Sequence, residues 1–490
     1  MKKTQMLPLA AMISGLLVGC GGGGGGGGGG GPAQTKYQFT FVTPVVVDAT
    51  DVGSCTIYRE FDDNGTPKIL TYHRIGSALD SRLVGSYSDT NGDIDGSLIE
   101  ASNGVVEMVL ENVPDGGAFT LQEANGTVIN AITFSRDVLE ADQELKSAYL
   151  SVEQSVANTT CISNSGSNDQ EVTLSELRYL NASDSVGNPN VTYYFDSQLE
   201  TQTSTNPQLT GANVLKSISP EKTMVSQYRT ADRSELFQYG FDSWPDNQMV
   251  FAGSSSTPDV SSSLINFTNI SIDVVFSGFN YDLVDINRGA SFYHPSNLSN
   301  GDVWTFDVEG AINTANWSAE YGASVSENWD LVVDDTSLFT LSNTNDSKPT
   351  MGGQQIDLSS SLGLGSETGF QRVSFQQGAT NGTTPYVMRH TIYSNIDSSV
   401  QVPTIDMSSV PAAIADDLLV SQNSSVSQSY LFVKEESSIA LNEFLMDFRN
   451  GSGVDTSQDV LGMLFTSKEV RDNQIKRSQQ ETLKLSRDDT

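Results

Sequence analysis

Short runs of β-branched and aromatic residues recur along this chain with polar turn residues between them, a pattern that predicts strands rather than helices. The early runs are 37–47, 56–59, 105–110, 119–121 and 128–134. Later ones are 191–195, 270–276, 303–308, 331–333, 373–375, 387–393 and 430–433. The pairs Asn64-Gly65, Asn91-Gly92, Asn125-Gly126, Asn300-Gly301 and Asn381-Gly382, with Asp115-Gly116-Gly117, mark turns between them. Asparagine and glycine tolerate the positive φ that tight hairpins require. Strands of this length and spacing predict a mainly β chain of two or three β-sandwich-like domains. Helical periodicity is scarce; it predicts one helix over 137–156 and short ones over 410–420 and 439–448.

The first twenty residues depart from this pattern. Lys2 and Lys3 precede an apolar run over 6–18 that is too brief to span a bilayer, and Leu17-Val18-Gly19-Cys20 ends it. A basic start, a short apolar core and small residues before a cleavage point make a secretory signal. The run resembles the lipobox of bacterial lipoproteins. That resemblance implies cleavage before Cys20, diacylglycerol on its thiol and an acyl group such as palmitate on the new N-terminus. Two or more acyl chains hold a protein firmly, each buried CH₂ contributing about 0.8 kcal/mol. The next residue is Gly21, not Asp; by the family's sorting rule the anchor is then expected in the outer membrane. A glycine run from Gly21 to Gly31, closed by Pro32, follows the anchor. Such a run is a flexible spacer with a root-mean-square reach of about 18 Å and a maximum of about 38 Å.

Charge narrows the partners. The chain has 60 acidic and 26 basic residues, a net charge of −34, and losing Lys2 and Lys3 with the signal takes that to −36. Such a surface repels nucleic acid and anionic headgroups, while divalent cations and basic proteins are allowed. The stretch 468–490 is more balanced, with six basic and five acidic residues, and reads as a short polar helix or a frayed end. With Cys20 lipidated, only Cys55 and Cys161 remain. In an oxidising compartment they have one pairing open to them, a disulfide closing a loop of about 106 residues, with two buried thiols as the alternative. The chain-entropy model gives such a bridge about 4 to 5 kcal/mol. These signals divide the chain into a signal (1–19), a lipidated tether (20–35), a first β unit containing the disulfide (36–165), β-rich units over 166–348 and 349–467, and a polar tail (468–490). Within the first unit, Asp93-Ile-Asp-Gly, Val105-Val-Glu-Met-Val-Leu and Val113-Pro-Asp-Gly-Gly-Ala-Phe-Thr-Leu resemble transthyretin-like and carboxypeptidase-regulatory-like sandwiches over about 80 residues. That likeness implies a structural or adhesive module.

Candidate chemistry is sparse. Asp89, Asn91, Asp93 and Asp95 alternate in an acidic turn, the oxygen-rich arrangement a Ca²⁺ ion takes, with Glu100 at the twelfth position from Asp89. The sixth position is Ile94, where an EF-hand needs glycine, so a solvated hairpin turn is the competing reading. Trp304, Trp317 and Trp329 lie near one another with Tyr293 and Tyr321. On an exposed sheet face they would stack on a sugar; otherwise they fill a sandwich core. His73, His294 and His390 are far apart in sequence, and no His-Glu-x-x-His, Cys-x-x-Cys or Gly-x-Ser-x-Gly motif occurs. Gly363-Leu-Gly365-Ser-Glu-Thr-Gly369 has the look of a nucleotide loop but no strand–helix frame around it. Asp334-Asp335 and Asp416-Asp417 are sequence neighbours, which point to opposite faces of a strand and so make no dyad.

The expectation is therefore a non-catalytic, surface-exposed outer-membrane lipoprotein with a structural or coat role. The lipobox, glycine tether, size and acidity are similar to those of the lipoprotein that sheaths the polar flagellum in some marine Gram-negative bacteria. The alternative from another class is a glycan- or ligand-binding surface lipoprotein using the three tryptophans. A surface hydrolase would need convergent carboxylates that the sequence does not identify.

Overall fold

In the computed structural model the described residues lie between 34 and 489, with interruptions of which the longest are 164–175, 179–191, 206–214, 434–444, 446–460 and 466–479. The lipobox, the glycine run, the turns at Asn64-Gly65 and Asn300-Gly301, and all of the 439–448 helix except Leu445 fall outside them.

Alternating apolar residues make the chain mainly β, as the pattern predicts. The longest paired structure is a sheet of twelve strands. In spatial order they are Phe279–Asn287, Ile265–Phe276, Asp302–Ile312, Ser318–Ser324, Thr482–Asp489, Ser425–Val433, Gly369–Asn381, Thr384–Asn395, Val128–Ser135, Ala118–Asn125, Leu83–Ser88 and Ile94–Glu100. Every pairing in it is antiparallel except one. Thr384–Asn395 runs parallel to Val128–Ser135, from Val387 beside Val128 to Tyr393 beside Phe134. Two hairpins turn where the sequence predicts, at Asn125-Gly126 and Asn381-Gly382, whose glycines have φ of +62° and +65°.

Two smaller sheets pack on this spine. The seven-stranded one is organised around Lys36–Asp48, which pairs antiparallel with Val105–Val109 and then Thr66–Ile75, and parallel with Ser147–Ser151. Its Tyr37, Phe39 and Phe41 join Phe119, Phe134, Tyr393 and Leu431 of the spine in one core. Phe39 stacks on Phe119 and Phe134 with ring centroids 6.0 and 6.1 Å apart. A six-stranded sheet that includes Met224–Tyr228 and Leu236–Phe241 encloses a second core with Ile270, Trp304, Phe375, Tyr430 and Leu483. The shared strands are covered on both faces. Along Ser425–Val433, Tyr430 and Phe432 enter one core while Leu431 and Val433 enter the other. A strand buried on both faces reads as a continuous apolar run, which is why Tyr430-Leu-Phe-Val lacks alternation.

Several expectations are corrected by this topology. The spine takes strands from each of the units drawn over 36–165, 166–348 and 349–467, so those boundaries do not separate independent sheets. Within the tail, Thr482–Asp489 is a strand and not the short polar helix or frayed end expected: it lies between Ser318–Ser324 and Ser425–Val433, where Leu483 and Leu485 are fully buried. The 137–156 helix shrinks to Arg136–Ala141, after which Ser147–Ser151 joins the seven-stranded sheet. Its Ala148 and Leu150 alternate into the core, and backbone pairing with Lys36–Asp48 overrides weak helical periodicity. Residues 410–420 form turns with a short 3₁₀ turn at Asp416–Leu418. The 331–333 run buries Leu331 and Val333 without forming a strand.

Candidate functional site

Cys55 and Cys161 form a disulfide with Cα atoms 5.6 Å apart, so the expected pairing is present. The sheet brings the two sulfurs together: Cys161 faces His73 across the Thr66–Ile75 strand, and Cys55 bridges to Ser163. Thr56 N–H donates to the Ile162 carbonyl (2.8 Å), and Ile162 N–H donates to the Tyr72 carbonyl (2.8 Å). His73 completes a cluster whose three ligand atoms, one per residue, lie within 4.8 Å of one another, and all three residues are half-buried. Among the described residues this is the sole group of three or more His, Cys, Asp or Glu side chains that converge closely enough to hold a metal ion. Nothing in the local sequence around His73 marks it; the register of two strands more than eighty residues apart does.

The three tryptophans are 1–3% exposed, which removes them as a sugar-stacking face. Trp304 donates its indole N–H to the Tyr239 hydroxyl (3.2 Å) and meets Tyr239 and Trp329 edge-on, with centroids 5.6 and 4.8 Å apart. Trp317 packs near Tyr430, and the Arg487 guanidinium lies 5.9 Å from its ring centroid. Trp329 stacks on His294 at 4.4 Å. Large aromatics carry the most apolar area, and the sandwich interior is where that area is removed from water. His294 itself is buried between Trp329, the Ser256 hydroxyl (2.8 Å from Nε2) and the Pro295 carbonyl (2.8 Å from Nδ1). Nδ1–H donates to the carbonyl, so Nε2 accepts from Ser256. Burial, opposed by the Pro295 carbonyl, lowers the His294 pKa. His390 is buried as well, beside the Thr133 hydroxyl (2.7 Å), and burial lowers its pKa to about 3.

The acidic turn is built as a backbone cap. Asp89 Oδ1 accepts the N–H groups of Asn91 (2.8 Å) and Asp93 (3.0 Å), and these bonds, that of Asn91 first, lower its pKa. Gln401 donates its side-chain amide to the Asn91 carbonyl (2.5 Å), and Thr404 N–H donates to that of Gly92 (2.8 Å). The turn thus docks on the segment after Ser399–Gln401. Asn91, Asp93 and Asp95 are exposed, and the carboxylates of Asp89, Asp93 and Asp95 do not converge as a metal-holding group among the described residues.

A partly buried ionic cluster, with Asp196 its most enclosed carboxylate, was not legible beforehand. Arg233 sits over the rings of Tyr194 (4.8 Å) and Tyr228 (5.3 Å), donates to the Asp282 carbonyl (2.8 Å), and lies 3.8 Å from the Asp196 carboxylate and 3.6 Å from that of Asp282. Tyr228 donates its hydroxyl to the Leu283 carbonyl. Burial lifts the Asp196 carboxyl to about 6 against the pull of Arg233, and lifts that of Asp273 to about 7 against its Asn280 hydrogen bond. This cluster ties the six-stranded sheet to the spine.

No family model matches the chain, and no curated protein matches it.

Proposed function

We propose that this chain is a lipid-anchored outer-membrane protein with a structural, coat-type role at the cell surface, and that the sheath of a polar flagellum is the place to look for it. The observation that carries the reading is the Cys55–Cys161 disulfide, since such bridges persist in exported proteins and are rare in the cytosol. It agrees with the export signal and lipobox ending at Cys20. The build of the molecule supports a structural role: Trp304, Trp317, Trp329, His294 and His390 are all buried inside sheet cores. The large exposed apolar side chains among the described residues are Val46, Leu98, Val332 and Leu419, scattered along a strongly acidic chain. A sugar-binding role loses its support with the burial of Trp304, Trp317 and Trp329.

The test is location. Sheared flagella, total outer membrane and periplasm are blotted for the protein, with protease added to intact cells and a palmitate analogue fed during growth. Label lost in Cys20→Ala, together with protease-sensitive enrichment in sheared flagella, supports the reading. A protease-resistant, outer-membrane signal rejects the coat role and places the protein toward the periplasm.

A further inference from the structure

The corner where the disulfide meets His73 has the parts for a second chemical state. We propose that, when the disulfide is opened, Cys55, Cys161 and His73 form a three-ligand site for a thiophilic cation of the Zn²⁺ class. The inference stands on this corner's geometry and not on the coat reading.

Distance is the first argument. A tetrahedral site with Zn–S of about 2.3 Å and Zn–N of about 2.0 Å has sulfurs about 3.8 Å apart and nitrogen about 3.5 Å from each sulfur. The three ligand atoms already fall within 4.8 Å. Side-chain rotation of the two cysteines separates the sulfurs, and the imidazole closes by about 1 Å. The backbone positions do not depend on the S–S bond, because strand pairing of Cys161 with His73 and the Thr56–Ile162–Tyr72 hydrogen bonds hold them.

One nitrogen of the imidazole is held by a hydrogen bond. His73 Nε2 lies 3.1 Å from the Thr71 hydroxyl, and that hydroxyl donates its own proton to the Val45 carbonyl (3.0 Å). Thr71 oxygen can therefore only accept, so Nε2 carries the proton and the ring lone pair resides on Nδ1. A ring nitrogen fixed in its tautomer by a hydrogen bond on the other nitrogen is the usual outer support of a metal-bound histidine. Two thiolates and a neutral imidazole balance a divalent charge and leave a fourth position open to water. All three residues are half-buried, so an ion has access. Soft sulfur ligands select Zn²⁺-type ions over Ca²⁺ or Mg²⁺.

The chemistry balances with a dithiol reductant. One of its thiolates attacks a sulfur of the bridge to give a mixed disulfide, and its second thiol resolves that species as a cyclic disulfide. Two electrons and two protons thus arrive at Cys55 and Cys161 as thiols. Binding M²⁺ then releases those two protons as the thiolates coordinate. Exchange of the two thiolates with that cyclic disulfide runs the step backwards, taking up two protons to regenerate the dithiol, releasing the ion and restoring the bridge, which makes the corner a redox-gated cation site.

The test uses the full chain with Cys20→Ser, so that only two thiols are present. The protein is reduced with a phosphine under argon, freed of reductant and titrated with Co²⁺, then with Zn²⁺ in competition. We expect thiolate-to-cobalt charge-transfer absorption saturating at one equivalent, bleached by Zn²⁺, and absent from the oxidised protein. His73→Ala should weaken Co²⁺ binding at least about tenfold while keeping both thiols. Far-ultraviolet circular dichroism checks that the reduced chain keeps its strand signal, or regains it with Zn²⁺. Binding by Cys55→Ser equal to that of the reduced parent, an unchanged affinity in His73→Ala, or a reduced chain that loses its strand signal and does not regain it with Zn²⁺ would each overturn the proposal.

Discussion

Trp304 shows how little a side chain's identity says about its task. The same indole fits a sugar platform or a sandwich core, and only burial against Tyr239 and Trp329 separates the two. Trp304→Ala is expected to cost about 3 to 5 kcal/mol in denaturant unfolding, the range for emptying a large core site. An effect below about 1 kcal/mol would mean that the ring is not packed as described. Asp196 makes a second prediction, this one in pH. Its folded-state pKa of about 6 lies above the ordinary value of 3.8, so between those values the native state keeps a proton that the unfolded chain has released. Stability from this group is therefore full below about pH 4 and is lost as pH rises through 6. Measured against Asp196→Asn, the wild type should lose up to about 3 kcal/mol between pH 4 and pH 7. A pH-independent difference between the two proteins would refute the burial argument. Asp196 and Arg233 carry no local motif, and their pairing was illegible because it depends on strands distant in sequence joining one sheet.

Among the elements, the carboxy-terminal strand departs furthest from its sequence signature. Thr482–Asp489 contains four charged residues, yet Leu483 and Leu485 alternate into the core and both flanking strands pair with it. Arg487 is buried with its guanidinium near the Trp317 ring, and Lys484 reaches Glu320 (3.3 Å). A chain ending after Gln480 is expected to lose cooperative unfolding and to become protease-sensitive within 425–433, whereas a frayed tail would be dispensable. Limited proteolysis followed by mass spectrometry distinguishes these outcomes. Strands such as 37–47 and 128–134 were legible because β-branched and aromatic residues crowd them and turns bound them. Thr482–Asp489 and Ser318–Ser324 were missed because polar residues dilute their apolar positions, and partner strands supply the rest of the stabilisation.

Across the molecule, the twelve-stranded spine couples regions that the sequence divides into three. The parallel contact of Val128–Ser135 with Thr384–Asn395 joins positions more than 250 residues apart. Residues 36–165 expressed alone should therefore fail to give dispersed amide signals, since one face of their last spine strands would be stripped of Val373, Phe375 and Met388. A well-dispersed spectrum would restore the three-unit division. The disulfide adds a global constraint. Its 106-residue separation predicts a loss of about 4 to 5 kcal/mol in Cys55→Ser/Cys161→Ser by the chain-entropy model, readable as a lower midpoint in guanidinium.

Composition and local pattern were enough for the strand-rich class, the hairpin turns at Asn125-Gly126 and Asn381-Gly382, and the disulfide, because each depends on neighbouring residues or on a pairing with one choice. Charge is likewise a cumulative property of the chain, and the proposed signal and lipobox are read from local sequence. The shared spine, the burial of the tryptophans, the central place of the last strand and the approach of His73 to the cysteines all required the folded chain. Each of these is a contact between residues distant in sequence. Such contacts are set by which faces find a partner to exclude water, and no window along the chain contains both partners.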